Sequence, residues 1–155
     1  MIYLASPFFN ETEISILTRV EELLGRRGIE FFSPRQHEIR DGDPGTPEWS
    51  RAAFLMDKQA IDDCEVLLMI YHGNYSDSGT SWECGYAHAK GKPVVALHMG
   101  DCSNLMVHES ATANIGLEEL ETYDFFRTER EKVFREDVLI LRKLILKFQY
   151  GISIK

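Results

Sequence analysis

The stretch 65–79, EVLLMIYHGNYSDSG, decides the fold of this chain. Its first part, 65–71, is almost continuously apolar, which is typical of a strand covered by helices on both faces. A polar turn at 72–79 ends the strand, and we predict a helix at 80–90 and a further strand at 93–97. A strand, a helix and a strand in this order indicate a parallel sheet.

The N-terminal part of the chain predicts the same alternation. A strand at 2–5 precedes a helix whose start is marked by the capping pair Asn10 and Glu13. The apolar residues that give this helix its periodicity are Ile14, Leu17, Val20, Leu23 and Leu24. A second strand is predicted at 29–32, where a Ser-Pro pair ends it. The helix therefore presents one apolar face to the sheet.

A long loop, 35–47, follows this second strand and contains the breakers Gly42, Pro44 and Gly45. A loop of this length in a compact domain is usually functional or mobile. Beyond the loop we predict a helix at 48–61. The loop therefore leads directly into this helix, and we expect the two to contribute neighbouring residues to a site.

The whole chain, 1–155, is predicted to form one α/β domain, a flavodoxin-like (Rossmann-like) sandwich with a mainly parallel sheet of about five strands flanked by helices. A short helix is predicted at 104–110 and an amphipathic C-terminal helix at 129–148. In this architecture ligands bind beyond the carboxyl ends of the strands. We therefore expect the site in the loops that follow the first three strands.

Composition limits the class of protein. The 155 residues include 17 basic and 25 acidic side chains, a net charge of −8, so nucleic acid and membranes are not expected partners. No apolar run approaches the roughly 20 residues of a membrane span, and no basic segment precedes the apolar N-terminus as in a secretory signal. The cysteines Cys64, Cys84 and Cys102 lack CxxC spacing. We therefore expect reduced thiols and a cytoplasmic location.

Common cofactor and metal motifs are missing from the sequence. No GxGxxG follows the first strand, and neither GxxxxGK[ST] nor GxSxG occurs. The five histidines show no metal-binding spacing. We therefore expect neither a cofactor nor a metal.

The segment 77–87, DSGTSWECGYA, carries the strongest candidate for chemistry. Glu83 is expected in the first turn of the helix that follows the polar turn, where the helix dipole favours an ionised carboxylate. Such a carboxylate in a cleft is a candidate nucleophile. A glutamate at this position also serves merely to complement the dipole, so both interpretations stay open. Gly85 and Ala87 are predicted to let the helix approach the sheet.

Three further residues have both a functional and a structural interpretation. Asp57 lies either in the site or on a solvated helix face, and Asp77 either binds a ligand or caps the next helix. Tyr3 lies on a buried strand, where any neighbour can satisfy its hydroxyl. Aromatic side chains that can stack on a planar ligand are Phe8, Phe9, Trp49 and Trp82. We expect at least two of these four in the core.

Three separated segments, taken together, resemble the nucleoside 2-deoxyribosyltransferase family. They are YLASPFF at 3–9, DSGTSWECGYAHAKGKPV at 77–94 and Asn104-Leu105-Met106. The family pattern D-x-G-[TL]-x-x-E-x-G-x-A is met at Asp77, Gly79, Thr80, Glu83, Gly85 and Ala87. The resemblance is specific because the segments match in order with compatible spacing, over roughly two-thirds of the chain.

The resemblance implies roles for residues of the site. Glu83 stands where the family has the nucleophile that attacks C1′ of the deoxyribose, and Tyr3 where a tyrosine orients that glutamate. Asp57 stands where an aspartate faces the nucleobase and handles its proton. Asp77 stands where an aspartate holds a sugar hydroxyl, with Gly79 in the same substrate-binding turn.

The resemblance also implies an oligomer. Asn104 stands where a neighbouring subunit supplies a side chain to the 5′-hydroxyl, with Met106 close by. The active site is then completed across subunits, in a dimer-based assembly such as a hexamer. Further residues expected to bind substrate are Phe8, Trp49, Gln36 and His37, the last two from the loop expected to meet the base.

The implied activity is transfer of 2-deoxyribose between purine and/or pyrimidine bases, in nucleotide salvage. It parallels retaining glycoside hydrolysis, with a covalent deoxyribosyl-glutamate intermediate and slow nucleoside hydrolysis as a side activity. The partners are then deoxyribonucleosides and free nucleobases. Two alternatives stay open: a nucleoside 5′-monophosphate N-glycosidase on the same fold, and a non-catalytic nucleotide-binding module.

Overall fold

The computed structural model describes residues 1–73, 77–100 and 103–127. The strands are β1 Ile2–Ala5, β2 Phe31–Phe32, β3 Val66–Tyr71, β4 Val94–His98 and β5 Ala113–Ile115. The helices are α1 Glu11–Arg26, α2 Pro47–Asp63, α3 Ser78–Ala89 and α4 Leu105–Ser110, with a 3-10 turn at Pro34–Gln36. The amphipathic helix predicted at 129–148 lies outside the described residues.

All five strands are parallel, in the order β2-β1-β3-β4-β5. This order confirms the predicted flavodoxin-like sandwich. The chain winds outward in both directions from the boundary between β1 and β3, and ligands bind at such a reversal point, beyond the carboxyl ends of the strands. The topology therefore places the candidate site beside β1 and β3.

The sheet separates two apolar layers. On one face, β1, β3 and β4 pack against α1 and against residues 117–125. On the other face, the same strands pack against α2, α3 and α4. Every residue of β1 and β3 is buried. Burial on both faces explains why these strands are continuously apolar in sequence.

Each of the four described α-helices begins after a residue whose side chain caps it, and the caps of α1 and α3 test the prediction most directly. Asn10 Oδ1 accepts a hydrogen bond from the Glu13 backbone N–H at 3.0 Å, which confirms the predicted capping pair of α1. Asp77 caps α3 in the same way, by accepting from the Thr80 N–H at 2.8 Å. The helix therefore begins at Ser78, two residues before its predicted start, and this shift changes the setting of the candidate nucleophile.

Several other boundaries differ from the prediction. β2 contains only Phe31 and Phe32 of the four predicted residues, 29–32. α2 is longer than the predicted helix 48–61. Thr46 caps it, so that it begins at Pro47, and it continues to Asp63. β5 was not placed by the sequence, since a three-residue edge strand gives no clear periodicity.

None of the helices in the described ranges is long and apolar enough to cross a membrane.

Candidate active site

Tyr3 and Glu83 form the hydrogen bond at the centre of the candidate site. Tyr3 lies in β1 and is fully buried, and its hydroxyl donates to Glu83 Oε1 at 2.8 Å. Glu83 is partly buried and reaches Tyr3 from α3, which packs on the same face of the sheet. The fold thus brings together two predicted site residues that are 80 positions apart in the sequence.

The position of Glu83 in its helix differs from the prediction. Glu83 is the sixth residue of α3 and lies in the second turn, where the helix dipole has little effect. Burial raises the pKa of Glu83 to about 8; the hydrogen bond from Tyr3 opposes this shift, and the charges of Asp57 and Asp77 add to it. The expectation of a carboxylate kept ionised by a helix N-terminus is therefore wrong.

Asp57 lies on α2 and does not face bulk solvent. Its Oδ1 is buried and has no hydrogen-bond partner among the described residues. Burial raises the pKa of Asp57 to about 6, and the nearby His37 lowers it. The charge of Asp57 also raises the pKa of both Tyr3 and Glu83. Asp57 therefore belongs to the same acidic cluster, and the interpretation as a solvated helix face is wrong.

Asp77 caps α3, as one of its two interpretations predicts. Its Oδ2 caps α3 through the backbone N–H of Thr80 at 2.8 Å and the Thr80 hydroxyl at 3.2 Å. A Cβ at Gly79 would lie 2.8 Å from this same oxygen and would displace it from its place in the cap. Oδ1 of Asp77 makes no hydrogen bond within the described part of the chain.

A cleft of about 480 Å³, which we call the aromatic cleft, opens beside Asp57. It lies between α1, the loop after β2 and α2. Its lining residues are Phe8, Ile14, Pro34, Arg35, His37, Ile39, Trp49, Ala53, Met56 and Asp57. Flat aromatic walls with one carboxylate at the side suit a planar, hydrogen-bonding ligand such as a nucleobase.

Predicted ligand-binding residues divide between the wall of this cleft and its surroundings. Phe8, Trp49 and His37 line the aromatic cleft, but Gln36 is exposed and does not line it.

The four candidate stacking aromatics are less buried than expected. Phe8 and Trp49 are partly buried, Phe9 is 74% exposed and Trp82 is 46% exposed. The expectation that at least two belong to the core is therefore wrong, although Phe8 packs against it.

Asn104 and Met106 lie at a different surface. They line a second cavity of about 370 Å³, the α3–α4 groove, which shares no lining residue with the aromatic cleft. Asn104 Oδ1 caps α4 by accepting from the Met106 N–H at 2.8 Å. Met106 and its neighbour Leu105 are 75% and 65% exposed. Within one subunit, therefore, these residues do not line the cleft beside Asp57.

Gly85 also faces the α3–α4 groove rather than the sheet. It is exposed, and a Cβ there would meet no atom within 4 Å. The prediction that Gly85 lets the helix approach the sheet is wrong, whereas the fully buried Ala87 does pack there.

The sequence analysis missed several wall residues of the aromatic cleft. Ala53 and Met56 follow Trp49 by four and seven positions on α2, which is the spacing of one helix face, and Asp57 completes that face. This helical spacing from Trp49 could have identified Ala53 and Met56 from the sequence. Phe32 was also missed; its ring stacks on His37 at 3.9 Å between centroids.

The described ranges contain no group of three or more His, Cys, Asp or Glu side chains arranged to hold a metal ion. The three acidic residues of the site are engaged with a tyrosine hydroxyl, with a helix cap or with the cleft, so the arrangement suits acid–base and nucleophilic chemistry.

The sequence model of the nucleoside 2-deoxyribosyltransferases matches residues 2–116, which contain every residue of this site. The chain belongs to this family. Membership supports deoxyribosyl transfer, or a related glycosyl-transferring reaction, as the class of activity. No significant match was found among curated protein sequences.

Solved structures agree with this assignment. A 2-deoxyribosyltransferase from Bacillus psychrosaccharolyticus is 36% identical, with a TM-score of 0.75, over 80% of this chain and 92% of that one. A deoxyribosyltransferase from Leishmania mexicana is 20% identical, with a TM-score of 0.57, over 79% and 98%. A CMP N-glycosidase from Clostridium botulinum is 20% identical, with a TM-score of 0.56, over 77% and 91%. The last two show likeness of fold alone.

Proposed function

We propose that this protein transfers 2-deoxyribose from one nucleobase to another through a covalent deoxyribosyl ester on Glu83. The observation that carries the proposal is the 2.8 Å hydrogen bond from Tyr3 to a partly buried Glu83, close to Asp57 at the edge of the aromatic cleft. Burial raises the pKa of Glu83, and the charges of Asp57 and Asp77 add to this shift. Two carboxyl groups in different surroundings, one bonded to Tyr3 and the other beside the aromatic cleft, suit acid-assisted nucleophilic substitution at a sugar carbon.

The first step forms the intermediate. Tyr3 holds Oε1 of Glu83, and Oε2 has no other hydrogen bond in the described part of the chain. Oε2 attacks C1′ from the face opposite the base, the C1′–N bond breaks, and its electron pair leaves with the base. A proton from Asp57 neutralises the departing base. The transition state resembles an oxocarbenium ion, which a 2′-hydroxyl would destabilise, so deoxyribosides are the easier substrates.

The second step reverses the first with a new base. The acceptor base in the aromatic cleft gives its proton to Asp57 and attacks C1′, and the bond from C1′ to Glu83 breaks. Two inversions give overall retention of configuration. Water in place of the acceptor releases free deoxyribose, so we expect slow hydrolysis as a side activity.

The reaction needs Glu83 ionised and Asp57 protonated at the same time. In the empty site the pKa of Glu83 is about 8 and that of Asp57 about 6, so the reactive pair is the less populated of the two singly protonated forms. The two carboxyl groups act on each other's charge, and the two pKa values therefore belong to the pair. We expect a bell-shaped dependence of kcat/KM on pH between these values.

An oligomer completes the site in this proposal. Asn104 of one subunit would reach the 5′-hydroxyl in its neighbour's site, while Asp77 holds a sugar hydroxyl from the same subunit. The exposed Leu105 and Met106 beside the α3–α4 groove support contact with a second copy, because apolar side chains 65% and 75% exposed are a common feature of interfaces. The proposed assembly is dimer-based, such as a hexamer.

The test is a donor–acceptor assay. Thymidine with adenine should yield deoxyadenosine and thymine, separated by chromatography, and adenine-free controls should show only slow release of thymine. Release of base from thymidine 5′-monophosphate, with no exchange from thymidine, would favour an N-glycosidase for monophosphates. Absence of both reactions would leave a nucleotide-binding module and would contradict the proposal.

A further inference from the structure

The loop that carries His37 is fastened to α1 by a buried glutamate. Glu21 is 6% exposed and accepts hydrogen bonds from Ser33 Oγ at 2.6 Å and from Arg35 Nε at 2.9 Å. Arg35 Nη2 also contacts Glu21 Oε2 and donates to Thr18 Oγ1 at 2.7 Å. One carboxylate thus ties two residues of the turn after β2 to a helix on the opposite face of the sheet from α2.

Glu21 is fully paired. Burial raises the pKa of its carboxyl, but the hydrogen bonds from Arg35 and Ser33 outweigh burial and the net pKa is lowered. A buried ion pair of this kind is weak evidence for stability, because removing both charges from water costs about as much as the pairing returns. What such a pair fixes is geometry: both oxygens of Glu21 have directional partners on the turn.

The fastened turn holds the imidazole of His37 from two sides. The carbonyl oxygen of Ser33 lies 2.9 Å from Nδ1 of His37. The ring of Phe32 stacks on the imidazole at 3.9 Å with an angle of 19° between planes, and Phe32 in turn stacks on Tyr3 at 5.7 Å. Ser33 therefore links Glu21 to His37, because its hydroxyl donates to Glu21 and its carbonyl oxygen contacts His37.

The Ser33 contact also sets the tautomer. A carbonyl oxygen only accepts hydrogen bonds, so Nδ1 of His37 carries the proton and the neutral ring presents Nε2 as an acceptor. His37 lines the aromatic cleft on the side of Asp57. Nε2 is then the ring nitrogen available to a base in the cleft.

We propose that Glu21 is a positioning residue that acts through Ser33 and Arg35 to hold His37 with Nε2 directed at the edge of the nucleobase. The proposal rests on the proposed function for the identity of the ligand, but its structural part does not require activity. In this proposal His37 contacts the base. Glu21 fixes the orientation of the His37 ring indirectly, through Ser33 and Arg35.

The structural part is tested by NMR of the histidine side chains. Long-range proton–nitrogen spectra distinguish the two neutral tautomers, and a His37→Gln variant assigns the signal among the five histidines. At a pH where the ring is neutral, the wild-type signal should be that of the Nδ1–H form, and Glu21→Gln should move it toward a mixture. A Nε2–H form in the wild type, or no change in Glu21→Gln, overturns the proposal.

The functional part is tested by a double-mutant cycle on kcat/KM for the acceptor base. We expect Glu21→Gln and His37→Ala each to lower it about 10-fold, and the double variant to be no worse than His37→Ala within 2-fold. If the loss of kcat/KM in the double variant equals the product of the two single losses, Glu21 acts independently of His37, and the proposal is overturned. A wild-type enzyme without base exchange would refute the proposed function, while the NMR result would still decide the role of Glu21.

Two further variants separate positioning from a general loss of stability. Arg27→Gln is the matched control, because Arg27 also fastens α1, to the carbonyls of Leu120 and Tyr123 at 2.7 Å, and lies outside the aromatic cleft. It should lower stability without changing the tautomer of His37. If Glu21→Gln fails to fold, Arg35→Gln removes the same ion pair from the more exposed partner and is used in both experiments.

Discussion

Glu21 and Glu83 are the same side chain in two sheltered settings with opposite surroundings. Glu21 meets the guanidinium of Arg35 and the hydroxyl of Ser33, and its pKa is lowered although burial alone would raise it. Glu83 meets one tyrosine hydroxyl and the charges of two aspartates, and burial raises its pKa to about 8. Burial therefore does not decide what a glutamate does here; the partners do.

The comparison separates a residue that holds the structure from one that is ready to react. Glu21 is 6% exposed and has partners on both of its oxygens. Glu83 has one engaged oxygen and one without a hydrogen bond to the rest of the described chain. An under-solvated carboxylate with a free oxygen is the expected form of a nucleophile, since it bonds to an electrophilic carbon more readily than a fully solvated one.

The largest predicted effect is at the reactive member of the pair. Glu83→Ala should lower base exchange by at least about 1,000-fold, because no other carboxylate in the described ranges accepts a hydrogen bond from Tyr3. Glu21→Ala should leave exchange measurable if the protein folds. Both rates are measured with thymidine and adenine, with circular dichroism as a check of folding. Exchange at the parental rate in Glu83→Ala would contradict the mechanism.

The second prediction concerns the charges around Glu83. In Asp57→Asn the acid is lost, so kcat should fall by about 100-fold or more. Because the charge of Asp57 raises the pKa of Glu83, its removal should also move the Glu83 limb of the kcat/KM profile below pH 8. The bell-shaped profile should become a single rise with pH. A profile that stays bell-shaped would remove Asp57 from the role of acid.

The third prediction is that the same substitution has opposite effects on stability at the two sites. Glu21→Gln should lower the free energy of unfolding at pH 8 by about 2 kcal/mol, because Arg35 is left without its counter-ion. Glu83→Gln should raise it at pH 8 by about 1–3 kcal/mol, because it removes the cost of ionising a buried acid. Urea unfolding measures both.

The opposite pKa shifts of Glu83 and Glu21 predict opposite dependences of stability on pH. The folded pKa of Glu83 lies above its ordinary 4.5, so its contribution is present below pH 4.5 and is lost as the pH rises through about 8. The gain from Glu83→Gln should therefore shrink toward pH 5. The pKa of Glu21 is lowered, so its contribution is lost only in acid. Parallel pH profiles for the two variants would contradict this assignment.

The smallest predicted effects are at two glycines that flank Glu83. Gly79→Ala should cost about 1–2 kcal/mol, because its Cβ would meet Asp77 Oδ2 at 2.8 Å and disturb the cap of α3. Gly85→Ala should be neutral or stabilising by up to about 1 kcal/mol, since nothing lies within 4 Å of a Cβ there. Thermal unfolding compares the two. An equal cost at both positions would contradict the described packing of α3.

The alternation of strands and helices was predictable from sequence because buried parallel strands are continuously apolar and the helices between them are marked by caps. The setting of Glu83 was not, because it depends on which residue caps α3: with Asp77 instead of a residue nearer Thr80, the glutamate moves out of the first turn. Asp57 was ambiguous for a similar reason. Whether a helix face is solvated depends on the loop that covers it, and periodicity on α2 contains no information about that loop.

The pair of Glu21 and Arg35 was not predicted from the sequence. The two residues are 14 positions apart in different elements, and each alone has the appearance of an ordinary surface charge. Resemblance to a family predicted which residues meet the sugar and the base, but it contained no information on what holds His37 in place. That part of the site became visible only from hydrogen bonds and ring contacts.

The most direct test of the central claim is mass spectrometry of the enzyme after reaction with a slow, 2′-fluorinated nucleoside. Fluorine slows both formation and breakdown of the intermediate, and a good leaving base restores formation, so the sugar should accumulate on the protein. We predict one fluorinated deoxyribosyl group per subunit on the peptide that contains Glu83, and none in Glu83→Ala. An unmodified protein that nevertheless exchanges bases, or a sugar attached to another residue, would contradict the account.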